Sequence, residues 1–136
     1  MFKFFARNSH AAILFFRVGV GIVFIYRGYL KLFAAGAPQS AANYMAQIGI
    51  PFPTLAAYLS GGAEFFGGIM VVLGLLTRQA SLFLIFNMIV AIAVAHRHDS
   101  YRAMEHAVQM LILSVGTLYS GSGSFSLESL VKKHGD

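Results

Sequence analysis

The apolar positions along the chain form four long tracts separated by short polar segments. Each tract approaches the roughly 20 residues that a helix needs to cross about 30 Å of hydrocarbon. The tracts lack the polar face that a helix of a soluble bundle presents to water. The pattern therefore predicts an all-α integral membrane four-helix bundle forming a single domain over residues 1–136. Its spans are expected at residues 11–33, 54–76, 79–95 and 103–119.

The connecting segments are short, and each carries a local signal. Residues 38–48 have apolar positions at helical spacing and no charge, which predicts a short interfacial helix between spans one and two. Leu76, Thr77 and Arg78 leave room only for the turn of an antiparallel helical hairpin. After span four, SGSGSFS is typical of a flexible exit, which would lead into a cytoplasmic tail at 121–136.

The composition strengthens the membrane interpretation and excludes a nucleic-acid-binding protein. Hydrophobic residues make up 57% of the chain and charged residues only 11%. The net charge is +5, but the basic residues form no stripe of the kind that binds nucleic acid. With four spans both termini share one side of the bilayer, and the positive-inside rule places that side in the cytoplasm. The positive residues on that side are Lys3, Arg7, Arg78, Lys132 and Lys133.

Charged residues inside the predicted spans are the candidates for chemistry. A charge facing lipid near the bilayer centre costs at least about 2.5–3.5 kcal/mol, so these residues are expected to point into the bundle. Arg17 on span one and Glu64 on span two are predicted to form a central ion pair. A buried pair can simply fix helix register. It can also hold a carboxyl group that exchanges protons, and the sequence leaves both roles open.

A second polar layer is expected in the outer half of the bundle. On span four, Arg102, Glu105, His106, Gln109 and Gly116 recur at helical spacing and are predicted to face inward. Together with residues from span one and the loop before span four, this stripe would form an outward-opening basic pocket in which Glu105 is the single carboxylate. The other residues assigned to this pocket are Arg27, Lys31, His96 and His98.

The histidines and the absence of cysteine limit the redox chemistry. Neutral imidazole binds zinc, copper and iron, so His96, His98 and His106 are weak candidates for a metal or haem site, although their spacing is not specific. The chain has no cysteine, which removes disulfides and thiolate metal sites. Redox activity would therefore need a quinone, a haem or a partner protein.

Several motifs resemble those of one family of small bacterial membrane proteins. Span one contains R-x-x-x-G and then RGYLKLF, GIPFP precedes span two, and span two reads GGAEFFGGIMVVLGLLTR. With Glu105 opening span four, this order is similar to the DoxX family over nearly the whole chain. The matching positions are Arg17, Gly21, Gly28, Lys31, Glu64, Gly68, Arg78 and Glu105.

The resemblance implies a four-helix protein of the bacterial inner membrane, similar to the small subunits of thiosulfate:quinone oxidoreductase. We therefore expect a quinone-interacting oxidoreductase subunit that needs a partner to exchange electrons. Its catalytic residues would be Glu64, Arg17 and Glu105. Its ligand-binding residues would be Arg27, Lys31, His106 and Gln109.

Two other functions fit the same residues. The basic residues of the outer half would suit a non-enzymatic protein that binds or transports an anionic molecule. The buried charges would also suit a scaffold that stabilises a partner enzyme in the bilayer. The glycine-rich helix faces would permit a homodimer.

Overall fold

The structure is a computed structural model that describes residues 1–135, and Asp136, the last residue of the predicted tail, lies outside them. The all-α prediction is confirmed, with seven α-helices in the described residues where four spans and one short interfacial helix were expected. They are α1 (Phe2–Arg7), α2 (Ser9–Leu32), α3 (Gln39–Gln47), α4 (Pro53–Leu73), α5 (Thr77–Val90), α6 (Tyr101–Ser120) and α7 (Leu127–Gly135). A π-helical segment, Ala91–Ala95, extends α5.

The distribution of polar and apolar side chains identifies a membrane protein. Three helical segments are long and apolar enough to cross a bilayer: Ser9–Leu32, Pro53–Leu73 and Thr77–Ala95. Large apolar side chains such as Phe66, Phe83 and Ile112 are exposed on the long helices, whereas several polar side chains are fully buried. An exposed apolar surface of this extent is suited to lipid and unsuited to water. The buried polar residues include Arg17, Glu64, Thr77, Ser81, Ser114 and Thr117.

The closest helix pair is α2 with α4, and glycine makes the approach possible. A Cβ at Gly28 would lie 2.6 Å from the Cα of Phe65, and a Cβ at Gly68 would lie 2.8 Å from the carbonyl oxygen of Gly21. Small residues let helix backbones approach in this way within a membrane, where van der Waals packing drives association. The contacts fix the antiparallel register of α2 and α4, with Gly28 beside Phe65 and Gly21 beside Gly68.

The other two long helices complete the bundle through apolar packing and a buried hydroxyl contact. Gly74 ends α4 with φ +69° and Leu76 precedes α5 with φ +48°, which forms the predicted tight hairpin. Leu84 of α5 packs against Gly67 of α4. Between α5 and α6, the hydroxyls of Ser81 and Thr117 are 2.7 Å apart. Such hydrogen bonds between helices replace water as partners of buried hydroxyl groups.

The C-terminal segment differs from the flexible exit that the sequence predicted. Residues 121–126 form a loop with Gly121 and Gly123 at positive φ, and Arg17 on α2 holds it by donating hydrogen bonds to the carbonyls of Ser122 and Phe125. The Ser126 hydroxyl then caps α7 by accepting from the backbone N–H of Ser129 at 3.1 Å. The prediction was wrong because the serine and glycine content gave no sign of a buried arginine donor.

The two chain ends lie at the same end of the bundle. Phe4 and Phe5 of α1 and Ser124 and Phe125 of the C-terminal loop line one shared cavity of about 700 Å³. Helix α1 and the C-terminal loop therefore lie on the same side of the bundle.

We predict that Gly28→Ala will lower the thermal unfolding temperature of the detergent-solubilised protein by several degrees. The new methyl group would force the α2 and α4 backbones apart at Phe65. Gly19→Ala on the same helix is the matched control, because a Cβ there meets no atom within 4 Å. It should leave the unfolding temperature unchanged or slightly higher, since alanine favours helix. Equal destabilisation by both substitutions would contradict the proposed register contact.

Candidate functional site

The buried carboxylate of Glu64 is the centre of the candidate site. Its side chain is fully buried on α4, and its Oε1 accepts hydrogen bonds from Lys31 Nζ at 2.8 Å and Asn87 Nδ2 at 2.9 Å. Lys31 also donates to the Ser60 hydroxyl at 3.0 Å. Helices α2 and α5 thus both donate a hydrogen bond to the same oxygen of a carboxylate that α4 carries.

The second oxygen of the same carboxylate has no protein partner. Within the described residues, Glu64 Oε2 is buried and accepts no hydrogen bond. A buried acceptor without a donor carries a free-energy cost, so we expect a proton, a water molecule or a ligand to satisfy it. Glu64 therefore presents one engaged oxygen and one free oxygen to the interior.

The local sequence explains how Lys31 reaches Glu64. A Cβ at Gly61 would lie 3.1 Å from the Cβ of Lys31, so the absence of a side chain there lets the lysine stem pass along α4. Ser60 and Glu64 are four residues apart on α4 and therefore lie on one face of that helix. The ammonium group of Lys31 lies between Ser60 and Glu64, and 24% of the lysine side chain is exposed. Lys31 thus connects the buried carboxylate to the outside of the bundle.

The predicted ion pair between Arg17 and Glu64 is wrong. Gly28 lies beside Phe65, next to Glu64, and Arg17 lies 11 residues earlier on α2, about 16 Å away along the axis. Arg17 instead donates to the carbonyls of Ser122 and Phe125, and contacts that of Val72 at 3.4 Å. The sequence alone could not give the depth of Arg17 relative to Glu64, because that depth depends on the register of α2 against α4.

Two further groups lie near this cluster. Arg27 is one turn before Lys31 on α2, and its buried Nε has no partner within residues 1–135. His106 on α6 is near enough to Arg27 and Glu64 to experience the charge of both. The structure therefore places Lys31 in contact with Glu64 and the exposed His106 within electrostatic range of both Glu64 and Arg27. The carboxylate of this group of residues is Glu64, where the sequence led us to expect Glu105.

The inward orientation predicted for the polar stripe of α6 is wrong. Arg102, Glu105, His106 and Gln109 are exposed, and Gly116 is half-buried. The buried face carries smaller or less polar residues, which pack more closely against the neighbouring helices. These residues are Ala107, Met110, Ser114 and Thr117. Glu105 accepts a hydrogen bond from Gln109 at 3.0 Å on the outer surface, so these two predicted site residues lie away from the buried carboxylate.

The loop histidines do not join the site. His96 Nδ1 lies 2.8 Å from a carboxylate oxygen of Asp99 within the loop itself, and His98 is exposed. In the part of the chain that the structure describes, no three His, Cys, Asp or Glu side chains are grouped closely enough to hold a metal ion.

Sequence reasoning missed two partners of the cluster, Asn87 and Ser60. Asn87 interrupts the apolar run LFLIFNMIV, and a lone amide in a membrane helix is a recognisable signal for an interhelical hydrogen bond. Ser60 is four residues before Glu64, a spacing that also could have been used.

A double-mutant cycle should separate the observed pair from the pair expected from sequence. Lys31→Met and Glu64→Gln should each lower stability, because removing one partner of a buried pair costs about 3–5 kcal/mol. The double variant should lose clearly less than the sum, since the two groups are in direct contact. Arg17→Met combined with Glu64→Gln should be additive. Thermal or denaturant unfolding in detergent measures each value, and additivity for Lys31 and Glu64 would contradict the observed contact.

Comparison with known proteins identifies a family and related membrane proteins. The family model described as DoxX matches residues 12–97, a range that includes Lys31, Glu64 and Asn87. The uncharacterized membrane protein Rv3486 of Mycobacterium tuberculosis is 31% identical over 136 residues, covering 90% of this chain and 82% of that protein. No solved structure gives a significant match.

A second relative is an inner membrane protein. YphA of Escherichia coli is 30% identical over 86 residues, covering 63% of this chain and 59% of its own length. The family match spans more than half of the chain and includes all of Pro53–Leu73 and Thr77–Ala95 and most of Ser9–Leu32. The chain belongs to the DoxX family of membrane proteins.

Proposed function

We propose that this protein is a quinone-interacting subunit of a membrane oxidoreductase, in which Glu64 exchanges a proton with the bound quinone or quinol. The observation that carries the proposal is the free Oε2 of a fully buried carboxylate. A quinol hydroxyl is a donor that suits this oxygen, and the carbonyl oxygens of a quinone suit the nearby cationic donors. An intramembrane carboxylate of this kind is by default a functional group.

The surrounding residues have separate roles in this proposal. Lys31 and Asn87 hold Oε1, so the carboxylate keeps one orientation while Oε2 remains available. Arg27 and His106 would supply N–H donors to a head group bound near Glu64. His106 can also pass a proton onward, because imidazole gains and loses protons near neutral pH. A fixed carboxylate beside a proton carrier is the arrangement that general acid–base catalysis requires.

Oxidation of a quinol to a quinone releases two protons and two electrons. Glu64 can accept the two protons one after the other and pass each towards the imidazole of His106, which is exposed on α6. The electrons must leave through a partner protein, because the chain has no cysteine to act as a dithiol relay. The chain therefore acts as a subunit and not as a complete enzyme.

The proposal includes a four-span topology in the bacterial inner membrane. The two chain ends share one end of the bundle, which supports an even number of crossings and makes α6 the fourth span. The polar stripe at the start of α6 then lies towards the outer interface, where long side chains reach water. The positive charge of α1 and α7 supports a cytoplasmic position for both ends, and α3 would lie in the outer interface.

A scaffold for a partner enzyme is the second candidate. The exposed polar stripe of α6 favours it, because Arg102, Glu105 and Gln109 form a surface that suits another membrane protein better than lipid. In that case the pair of Lys31 and Glu64 only locks the bundle. Glu64→Gln would then lower stability and leave any quinone affinity unchanged.

The proposal predicts that the purified protein binds decylubiquinone and that Glu64→Gln weakens this binding about tenfold, a loss of about 1.4 kcal/mol. The amide keeps the size of the side chain but cannot serve as a proton acceptor. Isothermal titration calorimetry in detergent measures the affinity. Asp99→Asn is the matched control, since it makes the same chemical change in the exposed loop and should leave binding unchanged.

Two outcomes would contradict the quinone proposal. The first is a wild-type protein that binds no decylubiquinone. The second is a folded Glu64→Gln variant whose affinity equals that of the wild type, which would leave the scaffold function as the better account.

A further inference from the structure

The cavity between α1, the start of α2 and the C-terminal loop is separate from the Glu64 cluster. Its volume is about 700 Å³, within the roughly 300–1,000 Å³ typical of ligand sites. Four phenylalanine side chains line it, and all four are exposed. They are Phe4 and Phe5 of α1, Phe15 of α2 and Phe125 of the loop. The cavity is therefore largely apolar and open to the surroundings of the protein.

Hydrogen bonds hold the segments that form this cavity. The side-chain amide of Asn8 donates to the carbonyl of Phe4 at 2.9 Å, at the junction between α1 and α2. On the other side, Arg17 donates to the carbonyl of Phe125 at 2.7 Å and so fixes the loop against α2. Both walls of the cavity are thus attached to the same long helix.

The lining changes from basic to apolar along the chain. Arg7 lies just before the helical segment Ser9–Leu32, which is long and apolar enough to cross a bilayer, and His10 lies in its first turn. Phe15 lies in the second turn of this segment, and its ring is exposed. The cavity therefore extends from the exposed apolar surface of a spanning helix to the basic residues where that helix begins.

The guanidinium group of Arg7 has no acidic partner. Neither α1 nor α2 contains Asp or Glu, and the first acidic residue of the chain is Glu64. On α7, Glu128 is paired with Lys132 at 3.3 Å. Within residues 1–135, Arg7 forms no ion pair and no side-chain hydrogen bond. Its charge is therefore available to an anion from outside the chain.

We propose that this cavity binds an anionic phospholipid, with the head-group phosphate at Arg7 and an acyl chain along Phe15. Arginine presents paired N–H donors that match phosphate oxygens, and basic side chains at a membrane surface attract lipids of net negative charge. The exposed phenylalanine rings offer apolar surface that an acyl chain would cover. A phospholipid presents its phosphate and its hydrocarbon in the same order as Arg7 and Phe15 follow each other along the chain. The site goes beyond quinone binding and shares no residue with the Glu64 cluster.

The test places a fluorescent reporter at the apolar end of the cavity. The chain has no tryptophan, so Phe15→Trp supplies the sole tryptophan signal. The full-length variant is reconstituted in bilayers of equal parts phosphatidylglycerol and phosphatidylcholine, and the acyl chains of one lipid or the other carry bromine, which quenches tryptophan. Quenching should correspond to an affinity for phosphatidylglycerol about fivefold above that for phosphatidylcholine, the factor expected for one basic side chain near an anionic head group.

Phe83→Trp is the matched control. Phe83 is exposed in the second turn of α5, as Phe15 is in the second turn of α2, and it does not line the cavity. The two brominated lipids should therefore quench it equally. The same preference at both positions would show a general enrichment of phosphatidylglycerol around the protein and would contradict a specific site. If Phe15→Trp does not fold, Phe5→Trp replaces it, because Phe5 also lines the cavity.

Removing the cation tests the head-group contact. Arg7→Gln in the Phe15→Trp background should abolish the preference for phosphatidylglycerol. Arg97→Gln removes the same charge from the exposed loop between α5 and α6, outside the cavity lining, and should leave the preference unchanged. Equal quenching of Phe15→Trp by both lipids, or a preference that Arg7→Gln leaves intact, would overturn the proposal. So would a tryptophan shielded from both lipids, because a protein would then occupy the cavity.

Discussion

The close approach of α2 and α4 is the constraint on which the rest of the structure depends. Glycine at positions 21, 28, 61 and 68 removes the side chains that would keep the two helices apart. The resulting register brings Lys31 level with Ser60 and Glu64 and places Arg17 beside Val72, near the end of α4. One packing contact therefore decides which cation meets the buried carboxylate and which cation holds the C-terminal loop.

The cations Arg17 and Lys31 of α2 have different kinds of partner. Arg17 is fully buried, and its two terminal nitrogens donate to backbone carbonyls while its Nε has no partner within residues 1–135, so it joins the C-terminal loop to the bundle. Lys31 is partly exposed and meets a carboxylate that still has a free oxygen. A buried charge with all its contacts inside the protein supports structure. A buried acceptor with a free oxygen beside partly accessible donors can bind a ligand, which is why the proposed function is built on Glu64.

The sequence predicted the all-α fold, the tight hairpin at Leu76 and the burial of Glu64 inside the bundle, because these follow from hydropathy, turn length and the cost of an intramembrane charge. It also placed Lys31 among the ligand-binding residues. It could not identify the partner of Glu64, since that depends on a register fixed by contacts between α2 and α4. The polar stripe of α6 was assigned to the wrong face, because helical spacing defines a stripe without saying whether Ala107 and Met110 or Glu105 and Gln109 face the bundle.

The most direct test of the central claim is whether Glu64 changes protonation with the redox state of a bound quinone. Infrared difference spectroscopy of proteoliposomes, with decylubiquinone reduced and reoxidised at an electrode, reports carboxyl groups through their C=O stretching band. The account predicts a carboxyl band in the difference spectrum that is lost in Glu64→Gln and retained in Asp99→Asn. A spectrum without a carboxyl band, or one that Glu64→Gln leaves unchanged, would contradict it.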